Sequence, residues 1–146
     1  MPTPTPAQQT PTPSRNQIHE TMQVAHRLVE LCRTGQNRKA IEELYADTVE
    51  FHEAMEGGPK ANGPLHKDEI LKGSDWFFEN NEIHASAVEG PYPNADRFIC
   101  FMSIDLTPKA GPMAGQRMQM TEGCLYTVKN GKITRSEFFY APPPGC

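Results

Sequence analysis

Asp96–Thr107 (DRFICFMSIDLT), Gln116–Val128 (QRMQMTEGCLYTV) and Ile133–Tyr140 (ITRSEFFY) decide how this chain folds. Each is rich in apolar, aromatic and β-branched residues, the composition of a strand. Between the second and third lies Lys129-Asn130-Gly131-Lys132. Asn-Gly between two apolar runs predicts a tight hairpin, because both residues tolerate positive φ. Three long strands in a meander make a sheet too wide to leave bare, and the first half of the chain supplies helices to cover one face. In the first strand, Phe98, Cys100, Met102 and Ile104 share one face; Ile99, Phe101, Ser103 and Asp105 share the other. Both faces are partly apolar. The sheet is therefore expected to be covered on both sides, by helices on one and by a second subunit on the other.

The final hairpin has two registers. A two-residue type I′ turn sets Glu122, Cys124 and Tyr126 beside Arg135, Glu137 and Phe139. A three-residue turn with a bulge at Gly131 sets them beside Ser136, Phe138 and Tyr140, which makes the better half-polar pocket wall.

Upstream, Ile18, Met22, Ala25, Leu28, Val29 and Cys32 recur at helical steps, predicting a helix over Asn16–Thr34 that Gly35 ends. His19 and His26 fall off its stripe. Asn37 is expected to cap a second helix, Arg38–Ala46, with Ala40, Ile41, Leu44 and Tyr45 inward. A third covers Lys67–Asn80, with Ile70, Leu71, Phe77 and Phe78 inward and Trp76 one step off the stripe. Asn81–Glu89 reads as a strand with Ile83, Ala85 and Ala87 on one face. Met55–Pro64 (MEGGPKANGP) reads as a loop, and Gly90–Asn94 as a turn into the meander. Met1–Ser14 is Pro/Thr-rich with almost no apolar side chains, so a disordered tail is expected over 1–15, a domain over 16–141 and a short tail over 142–146.

The segment Thr48–Ala54 carries the first chemistry. At period two, Val49, Phe51 and Glu53 share a face, and Glu50 and His52 share the other. An acid on an apolar face is costly unless paired, and its pKa should rise.

Composition narrows the function. The chain has 146 residues and a formal charge of -4. No Lys/Arg cluster offers nucleic acid an electrostatic footprint. No apolar run approaches the ~20 residues that span a bilayer. The N-terminus lacks a signal-peptide layout, so a cytoplasmic chain with reduced thiols at Cys32, Cys100, Cys124 and Cys146 is expected. Those cysteines lack zinc spacing. His52 and His84, with Glu50 and Glu82 nearby, invite a metal reading that no HExxH-type motif supports.

The order of elements resembles the NTF2-like cone fold, its SnoaL-like branch in particular. The likeness is carried by Leu44-Tyr45-Ala46-Asp47 running into Val49-Glu50-Phe51-His52-Glu53, by Trp76-Phe77, and by Tyr126–Ile133 closing on Phe138-Phe139-Tyr140. It implies an α+β chain with three N-terminal helices in the concave face of a strongly curved, mainly antiparallel sheet. It also implies an apolar cavity, a homodimer packed through the sheet and no cofactor. Known enzymes of this fold include ketosteroid isomerases, polyketide cyclases and limonene epoxide hydrolases, and many members only bind or scaffold.

Counted from Leu44-Tyr45-Ala46-Asp47, the isomerases' proton-abstracting aspartate falls on Glu53, which keeps a carboxylate. Their tyrosine donor falls on about Leu28 and their protonated aspartate donor on about Cys124. Losing one oxyanion donor typically costs ~10²–10³ in rate, so losing both argues against dienolate chemistry. The epoxide hydrolases' Asp-Arg-Asp set has no clear counterpart, although Arg97 or Arg117 could reach a pocket.

The resemblance thus implies Glu53 as general base. Phe51, Trp76, Met102, Glu122, Cys124, Tyr126, Phe138 and Tyr140 are the candidate lining for a small apolar or polyketide-like ligand. Each has a plainer reading. Glu53 is a paired or wet acid at the cone's mouth, and Glu122 is either a second cavity acid or a solvated strand-end charge. Tyr126 and Tyr140 are cavity donors or core tyrosines, Trp76 is rim packing, and Cys124 is thiol filler without an activating base.

Overall fold

The computed structural model describes residues 12, 14–54 and 62–141. Most of the expected tail at 1–15, the expected tail at 142–146, Cys146 and most of the Met55–Pro64 loop lie outside them; Ser14 and Arg15, expected in the tail, instead cap and open the first helix. Among the described residues the elements run α1 (Arg15–Arg33), α2 (Asn37–Leu44), β1 (Tyr45–His52), β2 (Asn62–His66), α3 (Lys67–Asn80), β3 (Asn81–Asn94), β4 (Arg97–Pro108), β5 (Met118–Lys129) and β6 (Lys132–Phe139). The strands form one mixed sheet in the order β2-β1-β6-β5-β4-β3. β1 and β6 are parallel and the other neighbours are antiparallel. The chain is thus α+β, as its sequence implies.

Local chemistry sets the helix ends. Ser14 and Gln17 form a capping box at the start of α1. At its end Gln36 N–H donates to Leu31 O at 2.8 Å and Gly35 N–H to Cys32 O at 3.2 Å, with Gly35 at φ 74°. This is a Schellman closure, and only glycine takes that φ without a Cβ penalty. α2 is shorter than expected. It stops at Leu44, and Tyr45-Ala46 opens β1 instead. Gln36, not Asn37, holds the cap position, and its side chain makes no capping bond. Lys132 Nζ donates to Glu43 O and Lys67 Nζ to Glu42 O, so lysines from elsewhere satisfy the orphan carbonyls of the last turn.

α1 packs on β3, β4 and β5, while α3 packs on α2, β1, β2 and β3. The core lies between α1 and the sheet: Val24, Ala25, Leu28, Leu31 and Cys32 meet Phe98, Cys100, Met102, Cys124 and Tyr126. Ile18 and Phe78, expected on buried stripes, are exposed, as each lies beyond the area its helix buries. On α3 only Ile70 is fully buried.

Besides a register shift between Tyr45 and Glu50 in the β1–β6 pairing, three irregularities decide which residues share a face. The turn at Asn130-Gly131 has two residues, both at positive φ (53° and 73°). Even so, Tyr126 pairs with Ser136 and Cys124 with Phe138. The pairing of the bulged alternative is therefore present, produced by an extra residue at Thr134 rather than at Gly131. A second bulge at His84 breaks the expected Ile83, Ala85, Ala87 face: Ile83 pairs with buried Leu106, whereas Ala85 and Ala87 pair with Asp105 and Ser103. A third, at Gly90-Pro91, lets β3 run on to Asn94 where a turn was expected.

β2 begins within the stretch whose Gly/Pro content predicts a loop. It is an edge strand, the position at which a sheet tolerates Pro64, which lacks an N–H. No described helix is long and apolar enough to cross a membrane.

Candidate functional site

The inner face of the sheet carries a row of aromatic rings across four strands. Phe98 on β4 stacks on Tyr126 of β5 with centroids 5.0 Å apart. Tyr126 meets Phe138 of β6 edge-on at 6.1 Å. Phe138 packs on Phe51 of β1 at 5.2 Å. Alternation along each strand, set by the Thr134 bulge, places them on one side.

Polar groups gather at one end of this row. Glu53 directly follows β1 on the face of Val49 and Phe51, as period two requires. Its backbone N–H donates to Asn62 Oδ1 at 2.8 Å, so the unanticipated β2 holds the chain at this point. Tyr140 Oη donates to Glu53 Oε2 at 2.8 Å. Gly123 pairs with Phe139, so the next residues, Glu122 and Tyr140, come side by side. Glu122 also faces Met102 of β4. Glu53, Glu122 and Tyr140 are all half-buried.

Their electrostatics follow from this packing. Burial pushes Glu53 above the ordinary carboxylate value, and the Tyr140 bond pulls it part of the way back. Burial pushes Glu122 up to about 7; the nearby Glu53 charge adds to the rise, and a bond from Cys124 opposes it. Two carboxyls that disfavour each other's charge, only one of them with a phenol donor, divide into a readier carboxylate and a readier acid. Glu53 is the former and Glu122 the latter.

Cys124 and Tyr126 are closed off from solvent. Cys124 lies directly across from Cys100, and its thiol is raised far above the ordinary range by the bond with Cys100 and then by burial. It is no nucleophile in this state. The Tyr126 hydroxyl is likewise raised, chiefly by burial, and belongs to a core cluster with Tyr45 and the thiols. Met102 is buried beside Glu122, while Trp76 stands 43% exposed on α3, where it suits a rim. Leu28 is buried in the core and supplies no donor.

His52 and His84 do not meet. Their strands β1 and β3 are four places apart in the sheet, roughly 19 Å at the usual strand spacing. His84 Nε2 contacts Thr107 Oγ1 at 2.7 Å and His52 Nε2 lies 3.4 Å from Glu50. Among the described residues no cluster of three His, Cys, Asp or Glu could hold a metal. Arg117 is engaged by Asp105 in a two-bond pair, with donor distances of 2.9 and 2.7 Å, away from Glu53. An open recess of about 420 Å³, lined by Ala87, Val88, Glu89, Phe101, Ser103 and Thr121, involves the outer face of the sheet rather than the carboxyl pair.

Asn62 and the backing thiol Cys100 were not anticipated as site residues. Asn62 sits in a Gly/Pro-rich stretch with no periodicity to mark it, whereas Cys100 could be placed on the inner face by alternation alone.

With this geometry in place, residues 19–140 match the family model of the SnoaL-like domain, and the chain belongs to that family. It is 42% identical to a Mesorhizobium loti protein provisionally named a SnoaL-like polyketide cyclase, with carbohydrate phosphatase as a second name, covering 82% of this chain and 97% of that one at a TM-score of 0.73. The fold is shared with an NTF2-like protein of Burkholderia thailandensis (19% identity, 83% and 90% covered, TM-score 0.68). It is shared too with an epoxide hydrolase of M. tuberculosis (10% identity, 91% and 83% covered, TM-score 0.58). Comparison with curated proteins returns no match.

Proposed function

We propose that this SnoaL-like protein binds a small apolar or polyketide-like molecule against the inner face of its sheet and moves a proton on it without a cofactor. Glu53 takes the proton and Glu122 returns one, in chemistry of the isomerase, cyclase or hydrolase type. The observation that carries the reading is the half-buried Glu53, hydrogen-bonded to Tyr140 and electrostatically coupled to Glu122 at the end of the aromatic row. The helices take the concave side of a curved sheet to make the cone. The polyketide cyclase name of the 42% identical relative supports the ligand class. Burial, Tyr140, Glu53 and Cys124 are what shift the two carboxyls, so nothing among these neighbours favours an anionic end on the ligand. The opposite face, with Ile99 and Phe101 exposed at 36% and 40%, joins a second copy into a homodimer. Three buried free thiols suit a reducing, cytoplasmic setting.

A second reading is a non-catalytic ligand-binding or scaffold dimer. It is favoured by Phe51 and Phe138, which pack on each other at the site, and by the apolar Leu28 and non-ionising Cys124 where isomerases carry donors.

Native mass spectrometry of freshly purified protein, followed by denaturing extraction, separates the two. A stoichiometric small organic molecule is expected, with turnover of that compound abolished in Glu53→Gln. Protein that stays empty through a broad apolar ligand screen overturns the first reading.

A further inference from the structure

Behind Glu122, thiols from three elements converge. Cys124 lies two residues further along β5, on the same face, and its Sγ–H donates to Glu122 Oε1 at 3.7 Å. Cys100 of β4 is its direct cross-strand partner. Cys32 of α1 lies within electrostatic reach of both Cys100 and Glu122, and burial pushes it up to about 12. All three are buried. On its other side Cys124 bonds the Tyr126 hydroxyl, itself held by the ring stack. A thiol raised this far stays protonated and keeps its S–H available to donate. Buried among fixed neighbours, it has one nearby carboxyl to donate to, and donation to a carboxylate favours its charged form.

We propose that Cys124 is a positioning residue of the carboxyl pair: its buried S–H, on a side chain walled in by Cys100 and Tyr126, orients the Glu122 carboxyl and favours its ionised form. The proposal rests on reading Glu53 and Glu122 as the working pair. The groups facing Glu122 are Glu53 at the end of β1, Tyr140 beside it, Cys124 on its own strand, Cys32 on α1 and the non-titrating Met102 on β4. Of these, Cys124 donates a hydrogen bond to it. The position that falls on an acid in the isomerases thus keeps a hydrogen-bond donor, turned toward a neighbouring carboxyl instead of toward a ligand.

The test is infrared titration of the full chain. The Cys124 S–H band is the one lost in Cys124→Ser. It is expected to move to lower frequency as Glu122 ionises near pH 7, and the movement should vanish in Glu122→Gln. In Cys124→Ala the Glu122 midpoint should rise by about half to one pH unit, the worth of one neutral donor. Cys124→Ser keeps a donor and should restore the midpoint to the wild-type value or below, a rescue that mere packing does not explain. An S–H band that stays still through the titration overturns the proposal, as does an Ala variant whose midpoint is unchanged or lower. Should the Ala variant not fold, the wild-type and Ser spectra decide. Neither readout uses ligand or turnover, so an empty or inactive protein counts against the proposed function and leaves this inference standing.

Discussion

Replacing Glu122 by Gln should make the protein more stable at alkaline pH and leave it nearly unchanged in acid. The Glu122 carboxyl titrates at about 7 in the folded chain against an ordinary 4.5. Between those values the folded state binds more protons than the unfolded state, so stability falls as pH rises. Below about 4.5 both states are protonated and the cost is absent; above about 7 it is fully present. At about 1.4 kcal/mol per pH unit, the rise from 4.5 to about 7 corresponds to about 3.5 kcal/mol. Half-burial admits some solvent, which brings the expectation to about 2 kcal/mol.

Glutamine has nearly the same shape and does not ionise. Urea unfolding at pH 4, 5, 6, 7 and 8 and constant ionic strength should therefore show wild type and variant converging at pH 4. They should separate by about 2 kcal/mol at pH 8, with Gln the more stable. Glu53 is raised too and contributes a slope of the same sign in both proteins, so the measured quantity is the difference between the curves. Parallel curves would refute the assignment of Glu122 as a carboxyl kept neutral by burial. The Glu53 charge is the second cause of the shift, so Glu53→Gln should also move the Glu122 midpoint down.

Tyr140→Phe removes the donor at 2.8 Å and should raise the Glu53 midpoint by about half to one unit, read by carbon-13 NMR of the carboxyl; an unmoved midpoint contradicts the bond. Gly90→Ala should cost about 1–3 kcal/mol in urea unfolding. Its φ is 121°, and a Cβ there would sit 3.2 Å from both Cys100 Cβ and Ile99 O, against backbone that cannot yield. Phe101→Asp, on the outer face, should turn a dimer into a monomer by light scattering at micromolar concentration, and wild type that is already monomeric refutes the dimer.

Much of this was legible because it is local. The span of α3, the Gly35 stop, the Asn130-Gly131 turn and the inward side of Glu53 all follow from periods of 3.6 and 2 and from the φ preferences of a few residues. Such features need no knowledge of distant contacts, and their order carries the SnoaL-like resemblance. The bulges at His84, Gly90-Pro91 and Thr134 were not legible, because a single extra residue depends on how each strand matches a partner distant in sequence. Nor was β2, since Gly63-Pro64 reads as a break until β1 offers an edge. The site combines both kinds of information. Period two aimed Glu53 inward, but only tertiary structure brought Tyr140, 87 residues later, within 2.8 Å of it. Only packing from several elements, too, could decide that Glu122 is the carboxyl that holds its proton, because desolvation belongs to the surroundings of a group and not to the group itself.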